Sequence, residues 1–319
     1  MIANLYIHKD AFQYNGTDSK EQVEQKMRAL ANDMRAVVYA NSDENIFYVS
    51  DEALNCEVFS GVSLINAPSV FLDGDLSGIM YSMLANTAEE YGEPVEVLQT
   101  KTIYRPDEEE VNTLLYLNRS STERDKAHYI QFDNYEIVYN QSSWIMLRRQ
   151  ILGNHPGTAT EFIRDCRKYF CNLAIHDHCI DTLEDENYQY LNIVPRKIVY
   201  YLSCLNDGFC AVKESHTTTA TDANSILEDF SGQYGLEKPG SIGRDVSKKP
   251  LLTFPFSSTA DPNVKIEMLC DPHLKISQPD FSNQPVDYKS FNPRIYFHFG
   301  DTAVENGKIL VGIIGKHVD

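Results

Sequence analysis

The sequence predicts an α+β chain in three parts: an acidic α+β domain over 1–140, a helical region over 141–235 and an antiparallel β-rich domain over 236–319. Three observations carry this division. The hydrophobic period turns helical after Ser142 and becomes strand-like beyond Pro250. The stretch LEKPGSIGRDVSKKP (236–250), rich in Gly, Pro, Ser and charge, reads as a boundary loop. Charge is also unevenly spread: Lys238–Asp319 holds ten Lys/Arg against nine Asp/Glu, while the first 237 residues hold 18 against 37.

Residues 3–7 form the first expected strand. Ser19 and Gln22 make a capping box that opens a helix with Val23, Met27, Leu30 and Met34 on one stripe. Strand-type runs follow at Arg35–Ala40, Asn45–Ser50, Glu57–Ile65 and Ser69–Leu72, then a helix over Gly74–Glu89. A further run, Val95–Tyr104, precedes the acidic tract Asp107–Glu110. Two runs, Tyr129–Phe132 and Tyr135–Tyr139, are separated by Asp133-Asn134 and read as a hairpin. The helical region opens with Trp144–Leu152. A second capping box, Thr158 with Glu161, starts a helix with Phe162, Cys166, Tyr169 and Leu173 on its stripe. Pro195 suits the first turn of a helix carrying Ile198, Leu202 and Leu205, with Asn206-Asp207-Gly208 as its stop, and Thr221–Phe230 is a last helix. Four strand-type runs complete the chain at 251–256, 264–270, 294–299 and 308–318.

With 319 residues, 42% of them hydrophobic, the chain can bury sizeable cores. A net charge of −18 opposes phosphate backbones and anionic membranes except near the basic C-terminal part. Seven cysteines without a CxxC pair suit neither a disulfide framework nor a zinc ribbon. The opening MIANLYIHKDAF lacks a signal-peptide pattern, and no apolar run approaches the roughly 18 residues of a membrane span. A reducing cytoplasmic location, with no membrane contact, is therefore expected.

The tract CRKYFCNLAIHDHCIDTL (166–183) gathers Cys166, Cys171, His176, His178 and Cys179, but the spacing scatters them over different faces, so no metal is expected. The His176-Asp177 doublet is similar to that of HD-type phosphohydrolases, without further His and Asp partners on neighbouring helices. Glu24-Gln25-Lys26 fits a nuclease tripeptide but falls inside a helix, where the metal geometry fails. No Walker A, GxGxxG or GxSxG pattern occurs, and no cofactor is expected.

The C-terminal strands carry the candidate chemistry. Alternation puts Ile295, Phe297 and Phe299 on one face of RIYFHF, and Arg294, Tyr296 and His298 on the other. Ile309, Val311 and Ile313 suit a core face of a strand that ends in Lys316 and His317. His273 and Lys275 follow Pro272, two apart on one side. Gly312 and Gly315 mark a bend or a close approach. The set His273, Lys275, Arg294 and Lys316 could bind phosphate, with Tyr296, His298 and His317 as acid–base groups for metal-free RNA cleavage. The same residues could instead be sheet residues paired with Asp271, Asp280, Asp287 and Glu267.

The order HLKIS, RIYFHF, KILVGIIGKHV resembles the C-terminal half of bacterial RelE/ParE-like toxins, over about 50 of 319 residues. The ending also resembles that of uncharacterised bacterial proteins from mobile or phage-defence loci. The resemblance implies a RelE-like C-terminal fold, Lys275 and Arg294 as phosphate ligands, and Tyr296, His298 or His317 as acid or base. The chain departs from such toxins in its length and acidity, and no helical hairpin is evident between 236 and 263. The expected function is a defence or toxin-like protein with a phosphate-binding, RNA-cleaving C-terminal unit and a protein partner for its acidic part. The competing expectation is a non-catalytic subunit of a complex, whose acidic region docks a basic partner or mimics nucleic acid.

Overall fold

The computed structural model describes residues 2–7, 9, 12–14, 16–87, 89–90, 111–115, 137–138, 140–184, 189–216, 222–243, 245–276, 291–315 and 317–318. Helices and strands are mixed along the chain, and the residues cluster into two compact units, Met1–Arg148 and Arg149–Asp319. Most of the helical region and the whole β-rich part thus belong to one unit.

In the first unit, β1 (Ala3–Ile7) is followed by α1 (Lys20–Val37), whose capping box forms as expected and whose buried stripe includes Val23, Met27, Leu30 and Met34. Next come β2 (Asn45–Val49), α2 (Asp51–Asn55), the hairpin β3 (Glu57–Phe59) and β4 (Val62–Ser63), α3 (Ala67–Phe71) and α4 (Gly74–Ser82). With β5 (Glu89–Glu90), β6 (Val111–Leu115) and β7 (Ile137–Val138), the strands form a sheet in the order β5-β2-β1-β6-β7, parallel at each pairing. Parallel neighbours require a crossover, and α1 supplies it between β1 and β2. Tyr6 and Tyr48 face each other across that pair with rings stacked at 4.7 Å.

Two expected strands here are helical. Arg35–Ala40 continues α1 and a short 3₁₀ turn, because the buried stripe runs on through Val37 and the Val38 amide donates to the Met34 carbonyl. Tertiary burial outweighs the strand preference of two valines. Ser69–Leu72 falls largely in α3, started by Pro68 in its first turn. The runs Val95–Tyr104, Asp107–Glu110 and Tyr129–Phe132, with the Asp133-Asn134 turn, lie outside the described residues; the described part of the run Tyr135–Tyr139 is β7, which pairs in parallel with β6. Buried Asn45 joins the elements: its Nδ2 donates to the carbonyls of Val37 and Asn41, and its Oδ1 accepts from Trp144 Nε1 at 3.1 Å.

The chain continues with α5 (Gln141–Asn154), and the second unit adds α6 (Ala159–Tyr169), β8 (Leu173–Ile175), α7 (His178–Leu183), α8 (Tyr190–Ile193), α9 (Pro195–Ser215) and α10 (Ala223–Gln233). Then come β9 (Thr253–Ser257), β10 (Lys265–Leu269), β11 (His273–Lys275), β12 (Arg294–His298) and β13 (Ile309–Gly315). The main sheet has the order β11-β12-β13-β8, antiparallel except for the parallel β13–β8 pair. Leu173, expected on the α6 stripe, starts β8 instead, since α6 ends at Tyr169.

The Asn206-Asp207-Gly208 stop does not stop α9, which runs on to Ser215. Each residue serves packing. Asn206 Oδ1 accepts from the Asn172 amide, Asp207 pairs with Arg149 at 2.6 Å, and Gly208 leaves space for the Tyr234 ring. Arg149 also donates to the Tyr169 carbonyl through Nε and Nη2 and lies 4.5 Å over the Phe170 ring.

Both faces of the main sheet are covered. On one, Phe297 meets Phe209 of α9 edge-on at 5.2 Å, and Phe209 meets Phe230 of α10. On the other, the β9–β10 hairpin brings Phe254, Phe256 and Met268 onto Tyr296, Leu310 and Ile313. Ile295, Phe297, Ile309 and Val311 are all buried, as their alternation predicts. A bulge pairs Tyr296 with Ile313 but Phe297 with Val311, leaving Gly312 as the extra residue. A Cβ on Gly312 would lie 2.4 Å from Phe254 Cδ2 and 3.1 Å from Cys270 Cβ.

Two outcomes follow from this packing. Gly312→Ala should destabilise the protein by about 1–3 kcal/mol, as overpacking does. Adding Phe254→Leu should recover part of that loss, which a double-mutant cycle of unfolding free energies reads directly. Asn45→Ala should cost about 1–3 kcal/mol through the orphaned indole N–H and carbonyls, measured by denaturant unfolding.

Candidate functional site

The register of the main sheet decides which candidate residues meet. Lys275, Arg294 and Gly315 are opposite one another on β11, β12 and β13, and His273, Tyr296 and Ile313 form the next such row. Directly opposed residues share a face, so Lys275 and Arg294 lie side by side, with His273 two residues along from Lys275. His317 is close enough to act electrostatically on His273, as are Arg294 and Lys275. Lys316 lies outside the described residues.

The face carrying Arg294, Tyr296 and His298 is not a wet face, contrary to its polar alternation. Arg294 is only 8% exposed and Tyr296 only 3%, and the β9–β10 hairpin packs over Tyr296. Arg294 is the anomaly of the unit. Its Nε and Nη1 have no hydrogen-bond partner, and no carboxylate pairs with it among the described residues. Burial pushes its pKa down, opposed by Tyr296. Lys275 is likewise pushed down, first by burial and then by the positive charges of Arg294 and Lys238. Of the acids expected as ion-pair partners, Asp271 instead accepts from the Gly243 amide at 2.9 Å. Asp280 and Asp287 lie outside the described residues.

His273 has a different character. Its Nδ1 lies 3.2 Å from the Asp271 carbonyl and its Nε2 3.1 Å from Ser241 Oγ. A carbonyl can only accept, so Nδ1 carries the proton and Nε2 accepts from the serine hydroxyl. Burial, reinforced by the nearby cations and opposed by the Asp271 carbonyl, lowers the His273 pKa to about 4. It is a neutral, positioned imidazole rather than a cationic phosphate ligand.

Of the three acid–base candidates, Tyr296 shares the face of Arg294 two residues along β12 and acts on it electrostatically, whereas His298 lies farther off. Tyr296 accepts from the Val318 amide at 3.3 Å and its ring lies 4.9 Å from that of His273. His298 sits four residues from Arg294 along β12, about 13 Å at the rise of a strand. Its Nδ1 accepts from the Gly300 amide at 3.2 Å, and burial lowers its pKa, with Asp301 opposing and Lys213 adding to the shift. His317 is half-buried beside the His273 end. Gly315, with φ +116°, turns its Cβ direction toward Tyr190 and the Thr182 carbonyl, so it serves packing there.

The Cys/His tract distributes as the spacing implies. Cys166 and Cys179 are buried and Cys171 is exposed, while His176 and His178 lie against Phe254 at 5.2 and 5.4 Å. No three His, Cys, Asp or Glu side chains gather to hold a metal ion among the described residues. No helix is long and apolar enough to cross a membrane among those residues. What the sequence reading missed is a cleft beside β8, lined by His176, Asp177 and charged residues from distant segments; the HD doublet was its only local sign.

The depressed His273 pKa gives a pH dependence. In the unfolded chain this histidine titrates near 6.5, so below that pH the unfolded state binds a proton that the folded state refuses. Stability should therefore fall as pH drops from about 6.5 toward 4, by as much as about 3 kcal/mol from this group. Urea unfolding at pH 7 and pH 4.5 should show a smaller acid loss for His273→Gln than for the wild type. Comparison with protein families, with curated proteins and with solved structures finds no match for this chain.

Proposed function

We propose that the second unit is a phosphate-binding module whose central ligands are Arg294 and Lys275. One observation carries this reading: a nearly buried guanidinium with two unpartnered nitrogens, beside a lysine and without a carboxylate among the described residues. An unpaired buried charge costs several kcal/mol, and a bound oxyanion would offset that cost with charge-assisted hydrogen bonds. The planar fork of Arg294 suits a bidentate oxyanion.

The resemblance of HLKIS, RIYFHF and KILVGIIGKHV to RelE/ParE-like toxins favours RNA as the source of the phosphate. Burial of Tyr296 and the distance of His298 from Arg294 favour binding over cleavage. The recessed site suits one phosphate group, such as a free ion or an RNA end, better than a run of backbone. The acid excess of the first 237 residues favours a basic protein surface as the partner of that part, in a defence or toxin-like complex.

Replacement of Arg294 by Met tests the site, because stability and binding should move in opposite directions. Without phosphate, Arg294→Met should melt no lower than the wild type, and unfold with about 1 kcal/mol or more of added stability. Inorganic phosphate at about 100 times its Kd should stabilise the wild type by about 2.7 kcal/mol and leave the variant unchanged. A variant that is less stable without ligand would mean that Arg294 is a structural ion-pair member. A wild type that ignores phosphate, 5′-phosphorylated RNA and 5′-hydroxyl RNA alike would end the proposal. Intact RNA after incubation with the protein is the expected result of a product assay.

A further inference from the structure

The opposite edge of the main sheet, at β8, borders a cleft of about 430 Å³, within the size range of small-molecule sites. Its wall is assembled from three distant stretches of chain. Arg167 comes from α6, His176 and Asp177 follow β8, Lys265 opens β10, and Glu305 and Lys308 precede β13.

The two carboxylates of the wall each have one oxygen engaged locally, and two lysines and an imidazole stand beside them. Asp177 is taken by Arg167 Nη2 at 2.6 Å, which also lowers the Asp177 pKa and keeps it ionised. Glu305 Oε1 accepts from the Ser257 amide at 2.9 Å. His176 Nδ1 accepts from the His178 amide at 3.1 Å, so the neutral ring carries its proton on Nε2, as a donor. The His176 ring is held in place by Phe254 and Phe256, at 5.2 and 5.5 Å. Lys265 spends one hydrogen bond on Ser257 Oγ at 2.8 Å, and the Lys308 ammonium has no side-chain partner among the described residues. With Arg167 and Asp177 paired to each other, Lys265 and Lys308 stand against Glu305 alone, beside the positioned imidazole of His176.

We infer that this cleft is a binding site for a small organic anion, a molecule bearing a phosphate or carboxylate group, distinct from the Arg294–Lys275 pair. Lys308 and Lys265 supply charge, and His176 Nε2–H supplies a directed hydrogen bond. The Arg167–Asp177 pair anchors the wall, because Arg167 Nε and Nη2 also hold the Ile175 carbonyl at the end of β8. The neighbouring backbone is constrained as well: Glu305 has φ +47° and Asn306 φ +56°, a turn that sets Lys308 at the start of β13.

Isothermal titration of the full chain with AMP and with citrate tests this, one probe for each anion class. At least one should bind with a Kd below about 1 mM, and the other reports which oxyanion the cleft prefers. Lys308→Glu should weaken that binding by about tenfold or more, since a charge-assisted contact becomes a repulsion. Its melting temperature should stay near that of the wild type, because Lys308 makes no ion pair among the described residues. His176→Gln, which keeps an N–H donor, should bind more tightly than His176→Ala. In Arg294→Met the part of the binding that Lys308→Glu removes should persist, while any AMP binding through the Arg294–Lys275 pair is lost, so failure at one site is distinguishable from failure at the other. No binding of either probe, or equal binding by wild type and a folded Lys308→Glu, would overturn the inference. Loss of binding in Arg294→Met but not in Lys308→Glu would assign the anion to the other edge of the sheet.

Discussion

Burial of the β11-β12-β13-β8 sheet on both faces is the constraint from which the other features of the second unit follow. Helices α9 and α10 cover one side, and the β9–β10 hairpin covers the other. Every residue of β13 is buried as a consequence. Gly312 has no side chain because Phe254 occupies that space, and the bulge there absorbs the extra residue. A two-sided sheet of this kind has no face on which a polar residue rests at no cost. Arg294 is therefore conspicuous: in an exposed sheet its guanidinium would be solvated, whereas here two of its nitrogens have neither water access nor a partner.

The sheet in turn depends on how β8 is held. Asn172, just ahead of β8, receives the Ile309 amide on its backbone carbonyl, and its amide and side chain bind Asn206 of α9. Asn206 is adjacent to Asp207, which pairs with Arg149, and Arg149 closes the C-terminal end of α6 through the Tyr169 carbonyl. One buried guanidinium thus links α5, α6 and α9 around the start of an edge strand. The two buried arginines contrast in a useful way. Arg149 has a carboxylate, a carbonyl and an aromatic face, and reads as structure. Arg294 has none of the first two among the described residues, and reads as a site.

The candidate chemistry was legible in the sequence as a set of residues and not as an arrangement. Lys275 and Arg294 do sit side by side, because antiparallel pairing of two short strands brings them into register. His273 belongs to the same face but is neutral, with both ring nitrogens committed. The β8 cleft showed in the sequence only as the His176-Asp177 doublet, since its cations come from positions 167, 265 and 308, and only the chain's path over the sheet edge gathers them. Buried cysteines such as Cys270, whose thiol burial pushes up to about 12, are packing residues without nucleophilic character at neutral pH.

By itself the sequence determined those elements whose causes are local. Capping boxes at Ser19 and Thr158, the stripes of α1 and α6, Pro195 at the head of α9, and the alternating apolar runs of β12 and β13 all act between near neighbours in the chain. Only the tertiary structure decided the parallel pairing in the first unit, the passage of α9 through Asn206-Asp207-Gly208, and the addition of β8 to a sheet of C-terminal strands. It also decided that Tyr296, on the polar side of β12, lies under a hairpin. The physical reason is the same in each case. Alternation in a strand separates two faces, but which of them meets water depends on what packs there, and that comes from residues far away in the chain.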